Sequence, residues 1–125
     1  MTTIRIIDEA PFVEVTIQYR GKAYEADRFL IDTGSVATVI NTDFLFPDGL
    51  PAQFDGRIRR MRGIGGWEFV LESAVDEMTT GDLNQTYFRV QLAKLDYDTS
   101  MDGILGMDFL LAVGAVIDLK GAELR

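Results

Sequence analysis

One acidic side chain in this sequence directly follows an apolar run and is itself followed by small polar residues. Residues 29–31 read Phe-Leu-Ile, a continuous apolar run that is typical of a strand buried on both faces. Asp32 comes next, and Thr33, Gly34 and Ser35 complete what we call the Asp32 loop (residues 32–35). Gly34 permits a sharp turn, and the two hydroxyl groups can hydrogen-bond a carboxylate that is otherwise costly to bury. We therefore expect a carboxylate held at the end of a rigid element, as acid–base chemistry requires.

The residue types that are missing narrow this chemistry. The 125 residues include no Cys and no His. Disulfides, thiolate nucleophiles, Ser-His and Cys-His catalysis, and zinc held by Cys or His are therefore excluded. The net charge of -8, from 12 Lys and Arg against 20 Asp and Glu, disfavours nucleic acid and anionic membranes as partners. An enzyme built from this chain must rely mainly on carboxylates, hydroxyls, Lys, Tyr or backbone amides.

Two glycine-containing motifs follow the Asp32 loop along the chain. Residues 63–67 read Gly-Ile-Gly-Gly-Trp and stand between two segments with strand-like patterns. An apolar Ile64 at an exposed turn tip is unusual for a simple hairpin turn, where glycines with positive φ are normal. Residues 103–106 read Gly-Ile-Leu-Gly and precede a predicted helix. We expect the second motif to serve core packing and not chemistry.

Taken in order, these three motifs resemble those of the retropepsin-like aspartic proteases. The Asp32 loop resembles the catalytic loop, residues 63–67 resemble the flap tip of retroviral proteases, and residues 103–106 resemble the apolar-apolar-Gly element beneath the catalytic loop. The resemblance spans about residues 29–110 and implies a closed β-barrel of the acid protease fold. It also implies an aspartic endopeptidase that acts on peptide or protein substrates without a metal or any other cofactor.

The resemblance further implies a homodimer, because the chain has one Asp-Thr-Gly motif and the chemistry needs two carboxylates. A lone Asp has a pKa of about 3.9 and is a poor base at neutral pH. In the family, two subunits each contribute one loop across a two-fold axis, so that paired carboxylates share a proton and activate water. Asp32 is then the catalytic residue, Thr33 bonds across the axis, Gly34 lets the carboxylates approach, and Ser35 orients the outer carboxylate oxygen.

The flap tip is implied to bind the backbone of the substrate. Glycines let the hairpin bend over a peptide, and the exposed amides pair with it. The residues assigned to this substrate-binding flap are Gly63, Ile64, Gly65, Gly66 and Trp67.

Short segments of alternating polarity fill most of the remaining chain and predict an all-β barrel or sandwich. Strands are predicted at residues 3–8, 12–19, 23–31, 36–40, 57–62, 67–75, 86–92, 115–119 and 122–125, the last as an edge strand. One short C-terminal helix is predicted over 107–113, and a single helical turn is predicted up to residue 46. With the resemblance, residues 1–125 are expected to form one domain, an all-β retropepsin-like closed barrel.

Some faces of these segments are predicted as well. In the strand at 67–75, Phe69 and Leu71 are expected on the opposite face from Glu72. In the helix, Met107, Leu110 and Leu111 are expected to share one face. Residues 115–119 are expected to form a buried strand. Retroviral proteases interleave the terminal strands of two subunits, and residues 3–7 can play that part here.

Each functional motif also has a plainer interpretation. The Asp32 loop can be an Asx-turn on a surface loop, and residues 63–66 can be an ordinary flexible turn. The arginines within 57–62 can form a basic patch for an acidic partner or simply a solvated strand, which the composition favours. Asp96, Asp98 and Asp102 can suggest calcium, but they lack the downstream Glu of a known calcium loop, so a solvated loop is favoured.

At the level of function, the alternative is a non-catalytic peptide-binding or dimerisation module of the same fold. A small-ligand barrel is less favoured because it leaves the Asp32 motif unexplained. No signal peptide is visible, and the longest apolar stretch, 103–117, is shorter than the ~20 residues that span a bilayer and contains Asp108. We therefore expect a soluble protein of the cytoplasm.

Overall fold

A computed structural model of the chain describes residues 1–95 and 100–125. This part is mostly β, as predicted. Its strands are β1 (Thr2–Thr3), β2 (Arg5–Ile7), β3 (Ala10–Tyr19), β4 (Lys22–Ile31), β5 (Val39–Asn41), β6 (Arg57–Gly63), β7 (Gly66–Thr80), β8 (Leu83–Ala93), β9 (Gly103–Leu105), β10 (Ile117–Asp118) and β11 (Glu123–Leu124). Its helices are α1 (Thr42–Leu45) and α2 (Met107–Ala112).

Most of the strands belong to one sheet of eight. Their order is β2-β3-β4-β9-β5-β8-β7-β6, and β3 pairs in addition with β7. That extra pairing joins Thr16, Ile17 and Gln18 to β7 and brings distant parts of the sheet into contact. A separate three-stranded sheet has the order β1-β11-β10.

The β3–β4 hairpin delivers the chain to Asp32. Val13, Val15, Ile17 and Tyr19 of β3 are all buried, as their alternation predicts. The turn between Tyr19 and Lys22 is two residues long and the strands pair directly across it. The core that this hairpin covers consists of side chains from most of the large sheet and from α2, among them Phe29, Ile31, Ile40, Val75, Met78, Val90, Leu92, Leu105 and Phe109.

Strand β7 keeps the predicted alternation of faces, but burial along it does not follow polarity. Phe69 is 75% exposed, whereas Glu72 on the opposite face is buried. The reason lies in the pairing: among the described strands, residues 66–70 of β7 pair with β6 alone, and β8 pairs with β7 from Leu71 onward. The pattern of polar and apolar residues in the outer part of the hairpin therefore does not indicate which side chains are buried.

The last quarter of the chain differs from expectation in three respects. Leu110 of α2 is buried and Met107 packs against the core, as predicted, whereas Leu111 is 71% exposed and Phe109 is buried in its place. The predicted buried strand at 115–119 is reduced to the two residues of β10, with Leu119 exposed. Strand β11, predicted at an edge, is the central strand between β1 and β10.

The shorter helix is defined by its cap. Asn41 accepts a hydrogen bond from the backbone amide of Asp43 at 3.1 Å, as expected of an Asn at the N-terminus of a helix.

Neither helix in the described part of the chain has the length and apolar character that crossing a membrane requires.

Candidate active site

The Asp32 carboxylate lies directly beyond the end of β4, an interior strand paired with β3 on one side and with β9 on the other. The Asp32 amide donates to the carbonyl of Leu105 at 3.0 Å, which continues the β4–β9 ladder past the strand end. The chain then turns: the amide of Ser35 donates to the Asp32 carbonyl at 3.2 Å. The amide of Gly34 donates to Oδ1 of Asp32 at 2.9 Å. The backbone thus fixes both the residue and one oxygen of its carboxylate.

Strand β9 holds β4 in place through close packing. The two strands are parallel, with Phe29 opposite Gly103 and Ile31 opposite Leu105. A Cβ atom on Gly103 would lie 2.3 Å from the Phe29 ring and 2.7 Å from the carbonyl oxygen of Val39. Only glycine allows this close approach. The motif at residues 103–106 therefore packs against the strand that leads to Asp32, as the resemblance implies.

The start of α2 fastens the far side of the Asp32 loop. The amide of Met107 donates to the Ser35 carbonyl at 2.8 Å, and the amide of Asp108 donates to the Val36 carbonyl at 3.1 Å. A Cβ atom on Gly106 would lie 2.5 Å from the carbonyl oxygen of Ala37. The loop is therefore held between β9 and the first turn of α2, with no room for a side chain at Gly106.

A pair that the sequence interpretation missed, the buried Thr38 and the half-buried Asp108, joins these parts. Thr38 is fully buried, and its hydroxyl donates to Oδ1 of Asp108 at 2.7 Å while accepting from the Gly106 amide at 3.0 Å. The Thr38 amide donates to Oδ2 of Asp108 at 3.1 Å, and the Phe109 amide donates to Oδ1 at 2.7 Å. The available signal was Asp108 itself, a charge in an apolar run, since such a group needs internal partners.

The other residues of the Asp32 loop are either hydrogen-bonded nearby, as Ser35 is, or exposed, as Thr33 and Gly34 are. The Ser35 hydroxyl donates to the Ala37 carbonyl at 2.7 Å. The hydroxyl proton of Ser35 is thereby used just beyond the loop, and the described donor to the Asp32 carboxylate is the Gly34 amide. Thr33 and Gly34 are exposed beside the half-buried Asp32. The predicted contact of Thr33 across a two-fold axis stays a prediction.

The loop presents one available carboxylate. Oδ2 of Asp32 makes no hydrogen bond to any residue that the structure describes, whereas Oδ1 is held by Gly34. Asp108, the other acid fastened to this loop, is occupied by Thr38 and Phe109. Oδ2 of Asp32 can therefore accept a proton, or share one with a second carboxylate. Within the described part of a single chain, no second carboxylate is positioned to do so.

The second predicted motif lies at the tip of the β6–β7 hairpin. Gly63 pairs with Gly66, so Ile64 and Gly65 form the turn, and Gly66 has a φ of 113°, which favours glycine. The Ile64 side chain is fully exposed. The described hydrogen bonds do not link this tip to the Asp32 loop, and the substrate-binding role of residues 63–67 stays a prediction.

Of the three acids that can suggest calcium, only Asp102 lies among the described residues. Asp102 accepts a hydrogen bond from the Arg28 amide at 3.1 Å, whereas Asp96 and Asp98 lie outside the described residues. Within 1–95 and 100–125, no three acidic side chains are grouped so that they could hold a metal ion.

A mostly β fold that presents an Asp-Thr-Gly-Ser loop on an Ile-Leu-Gly support defines a site of the aspartic protease type. A family model described as aspartyl protease matches residues 13–109, a range that contains all three motifs. The chain therefore belongs to the aspartyl protease family, and the resemblance seen in the sequence is confirmed. A search of curated proteins found no match.

Proposed function

We propose that two copies of this chain form an aspartic endopeptidase whose single site contains both Asp32 side chains. The observation that carries the proposal is the Asp32 carboxylate, fixed by the backbone through Oδ1 and open at Oδ2. Membership of the aspartyl protease family supports the type of reaction. The single carboxylate supports the need for a second copy, because the reaction requires an acid and a base.

The chemistry is that known for aspartic proteases as a class. Two neighbouring carboxylates cannot both be ionised, so they share one proton. The ionised carboxylate takes a proton from water, whose oxygen attacks the scissile carbonyl carbon. The protonated carboxyl gives its proton to the carbonyl oxygen. A proton then passes to the amide nitrogen, the C–N bond breaks, and a carboxylic acid and an amine are released without a covalent enzyme intermediate.

The surface around Asp32 supports the pairing of two copies. Val36, whose carbonyl is bonded to α2, is 84% exposed, and Leu111 on the next turn of α2 is 71% exposed. Large apolar side chains exposed beside a functional loop mark an interaction surface. A two-fold axis passing next to Thr33 would cover this surface and bring the two open Oδ2 atoms together.

In this proposal the β6–β7 hairpin is the flap, and its tip at residues 63–67 covers an extended peptide. An extended substrate pairs with exposed backbone groups of a strand edge, and side-chain pockets then give specificity. The additional β3–β7 pairing supports a closed barrel as the frame that holds the flap over the Asp32 loop.

Replacing Asp32 tests the proposal. The variant Asp32→Asn keeps the acceptor for the Gly34 amide but cannot share a proton, so cleavage of a peptide library between about pH 4 and pH 7 should fall at least about a thousandfold. The free energy of unfolding of this variant should equal that of the native chain. Asp48→Asn removes an exposed carboxylate elsewhere and should cleave like the native chain.

Sedimentation of the same samples separates the outcomes. A native protein that is dimeric and cleaves only with Asp32 intact supports the proposal. A dimer that binds peptides but cleaves none supports the non-catalytic binding module. Equal cleavage by the native chain and Asp32→Asn, or full activity of a monomer, would refute it.

A further inference from the structure

The β6–β7 hairpin concentrates positive charge in an acidic chain. Positions 57–62 hold four of the 12 Lys and Arg residues and none of the 20 acids, although the chain as a whole carries a net charge of -8. Because alternate residues of a strand point to opposite faces, these arginines divide into two pairs. Arg57 and Arg59 share one face, and Arg60 and Arg62 share the other.

The first pair shares one carboxylate within the protein. Nε of Arg57 lies 3.0 Å from Oε1 of Glu72, and Nη1 of Arg59 lies 3.4 Å from Oε2 of the same residue. Glu72 is buried, and a buried carboxylate needs such partners. Arg57 and Arg59 therefore have a structural reason to be present.

The second pair has different contacts. Among the side chains that the structure describes, no carboxylate lies within ion-pair distance of Arg60 or Arg62. Their guanidinium carbons instead lie 4.3 Å and 5.9 Å from the centre of the Trp67 ring. Contact with an aromatic face holds a guanidinium group in position while leaving its N–H donors available for a carboxylate.

Apolar side chains complete this face of the hairpin. The register places Arg62 opposite Trp67, Arg60 opposite Phe69, and Ile58 next along the same face. Ile58 is 69% exposed, Trp67 58% and Phe69 75%. We call these five residues, Ile58, Arg60, Arg62, Trp67 and Phe69, the cationic face.

The composition of the cationic face specifies its partner. Two positioned guanidinium groups suit carboxylates, which they can bind in a bidentate manner, and the flanking apolar side chains suit aliphatic or aromatic residues. A long polyanion such as nucleic acid would also meet the acidic remainder of the chain, which repels it. A short acidic peptide segment avoids that repulsion.

We propose that the cationic face binds an acidic segment of the protein substrate and so selects substrates in which such a segment runs past the hairpin. The proposal rests on the proposed function, because it assigns the substrate class of that endopeptidase. The acidic segment would lower KM and leave kcat unchanged, since no hydrogen bond of the described residues joins the cationic face to the Asp32 loop.

Trp67 allows binding to be measured separately from cleavage, because it is the only tryptophan of the chain. Peptides identical except for Glu residues replaced by Gln would be titrated into the Asp32→Asn protein while Trp67 fluorescence is followed. We expect the Glu peptide to bind about five- to tenfold more tightly at low salt, and this preference to disappear largely at high salt.

Substitutions of the two arginines test whether they cause the preference for the Glu peptide. Arg60→Gln together with Arg62→Gln should abolish it, and replacing both with Lys should restore part of it, because Lys keeps the charge but not the planar fork. Lys120→Gln, an equal change per residue at an exposed position of the β10–β11 turn, should leave it intact. The native chain and these variants would then be compared in cleavage of the same two peptides.

The results distinguish the two proposals. A Glu preference that vanishes only in the Arg60/Arg62 variants supports the cationic face, and if nothing is cleaved, only the proposed endopeptidase fails. Cleavage without any Glu preference, or a preference unchanged by the Arg60/Arg62 variants, overturns the cationic face and leaves the endopeptidase standing. Stronger binding of a short oligonucleotide than of the Glu peptide would overturn the assignment of an acidic peptide.

Discussion

The Asp32 loop and the tip of the β6–β7 hairpin both depend on glycine, and for opposite reasons. Around the Asp32 loop, Gly103 and Gly106 lie so close to neighbouring atoms that a Cβ would collide with them. At the hairpin tip, a Cβ on Gly65 or Gly66 would meet no atom within 4 Å. Glycine permits close packing in the first region and free backbone bending in the second.

The hydrogen bonds of the two regions differ in the same way. In the Asp32 loop, Asp32 is bonded to Leu105 of β9 and Ser35 to Met107 of α2, and just beyond the loop Thr38 is bonded to Asp108. Among the described strands, β6 and the outer part of β7 pair only with each other, since β8 first pairs with β7 at Leu71. A fixed carboxylate and a hairpin free to open are what the proposed endopeptidase requires, because acid–base groups need positioning and a covering flap must move.

The sharpest test of this comparison is one glycine substitution in each region. In Gly106→Ala the new methyl group meets the Ala37 carbonyl oxygen at 2.5 Å, so the free energy of unfolding should fall by about 3 kcal/mol. In Gly65→Ala it should change by less than about 0.5 kcal/mol. Urea denaturation at matched protein concentration measures both values. Similar losses in the two variants would contradict the comparison.

The second largest effect is expected from the buried hydroxyl of Thr38. Thr38→Val keeps the shape but leaves the Gly106 amide without its acceptor and Oδ1 of Asp108 without one of its two donors, which should destabilise the protein by about 2 kcal/mol. Cleavage should also weaken, because the Asp32 loop loses its anchor. Thr86→Val, at an exposed position of β8, serves as the control and should be nearly neutral in urea denaturation. Equal stability of the two variants would show that the pair does not hold the loop.

A smaller effect is expected where the hairpin joins the sheet. Glu72→Gln removes the charge that pairs with Arg57 and Arg59, whose side chains are 57% and 58% exposed and therefore screened by solvent. We expect a loss of only about 1 kcal/mol. Hydrogen exchange should quicken in residues 57–63 and stay unchanged in the Asp32 loop, whereas Glu14→Gln, an exposed carboxylate of β3, should change neither. Faster exchange in the Asp32 loop would show that the two regions are coupled.

The smallest effect is expected in the sheet of the two termini, away from both regions. The Gly121 amide, at 2.8 Å, and then Arg125 lower the pKa of Asp118 below its ordinary value. A lowered folded-state pKa gives stability that is present above the ordinary carboxyl pKa of about 4 and is lost as pH falls through the folded pKa. Asp118→Asn should remove this part of the acid dependence without changing cleavage, and NMR titration of Asp118 measures the pKa directly. An ordinary pKa for Asp118 would contradict this prediction.

Much of the fold could be read from the sequence because its signals are local. The alternation in β3 and the helical turn that ends at residue 46 each involve neighbours along the chain, and each is present as predicted. The two-residue turn before β4 and the Asn41 cap of α1 are local as well. The Asp32 loop is likewise local, since its turn forms between Asp32 and Ser35. Family membership followed from the order of three short motifs.

What the sequence did not reveal depends on the arrangement of strands and helices. Phe69 is exposed where β7 pairs with β6 and not yet with β8, and Leu111 is exposed because α2 packs through Phe109 and Leu110. Strand β11 is central because β1, from the other end of the chain, pairs with it. Polarity patterns cannot report which neighbours a strand or helix acquires.

The sequence by itself determined which carboxylate stands at the candidate site, because an apolar strand, a turn glycine and hydroxyl neighbours are adjacent in the chain. Only the tertiary structure decided how that carboxylate is held. The bond from Thr38 to Asp108 joins residues 70 positions apart, and the contact of Gly106 with Ala37 is similarly distant along the chain. Such contacts exist only once β9 and α2 have packed against the Asp32 loop, so no local pattern encodes them.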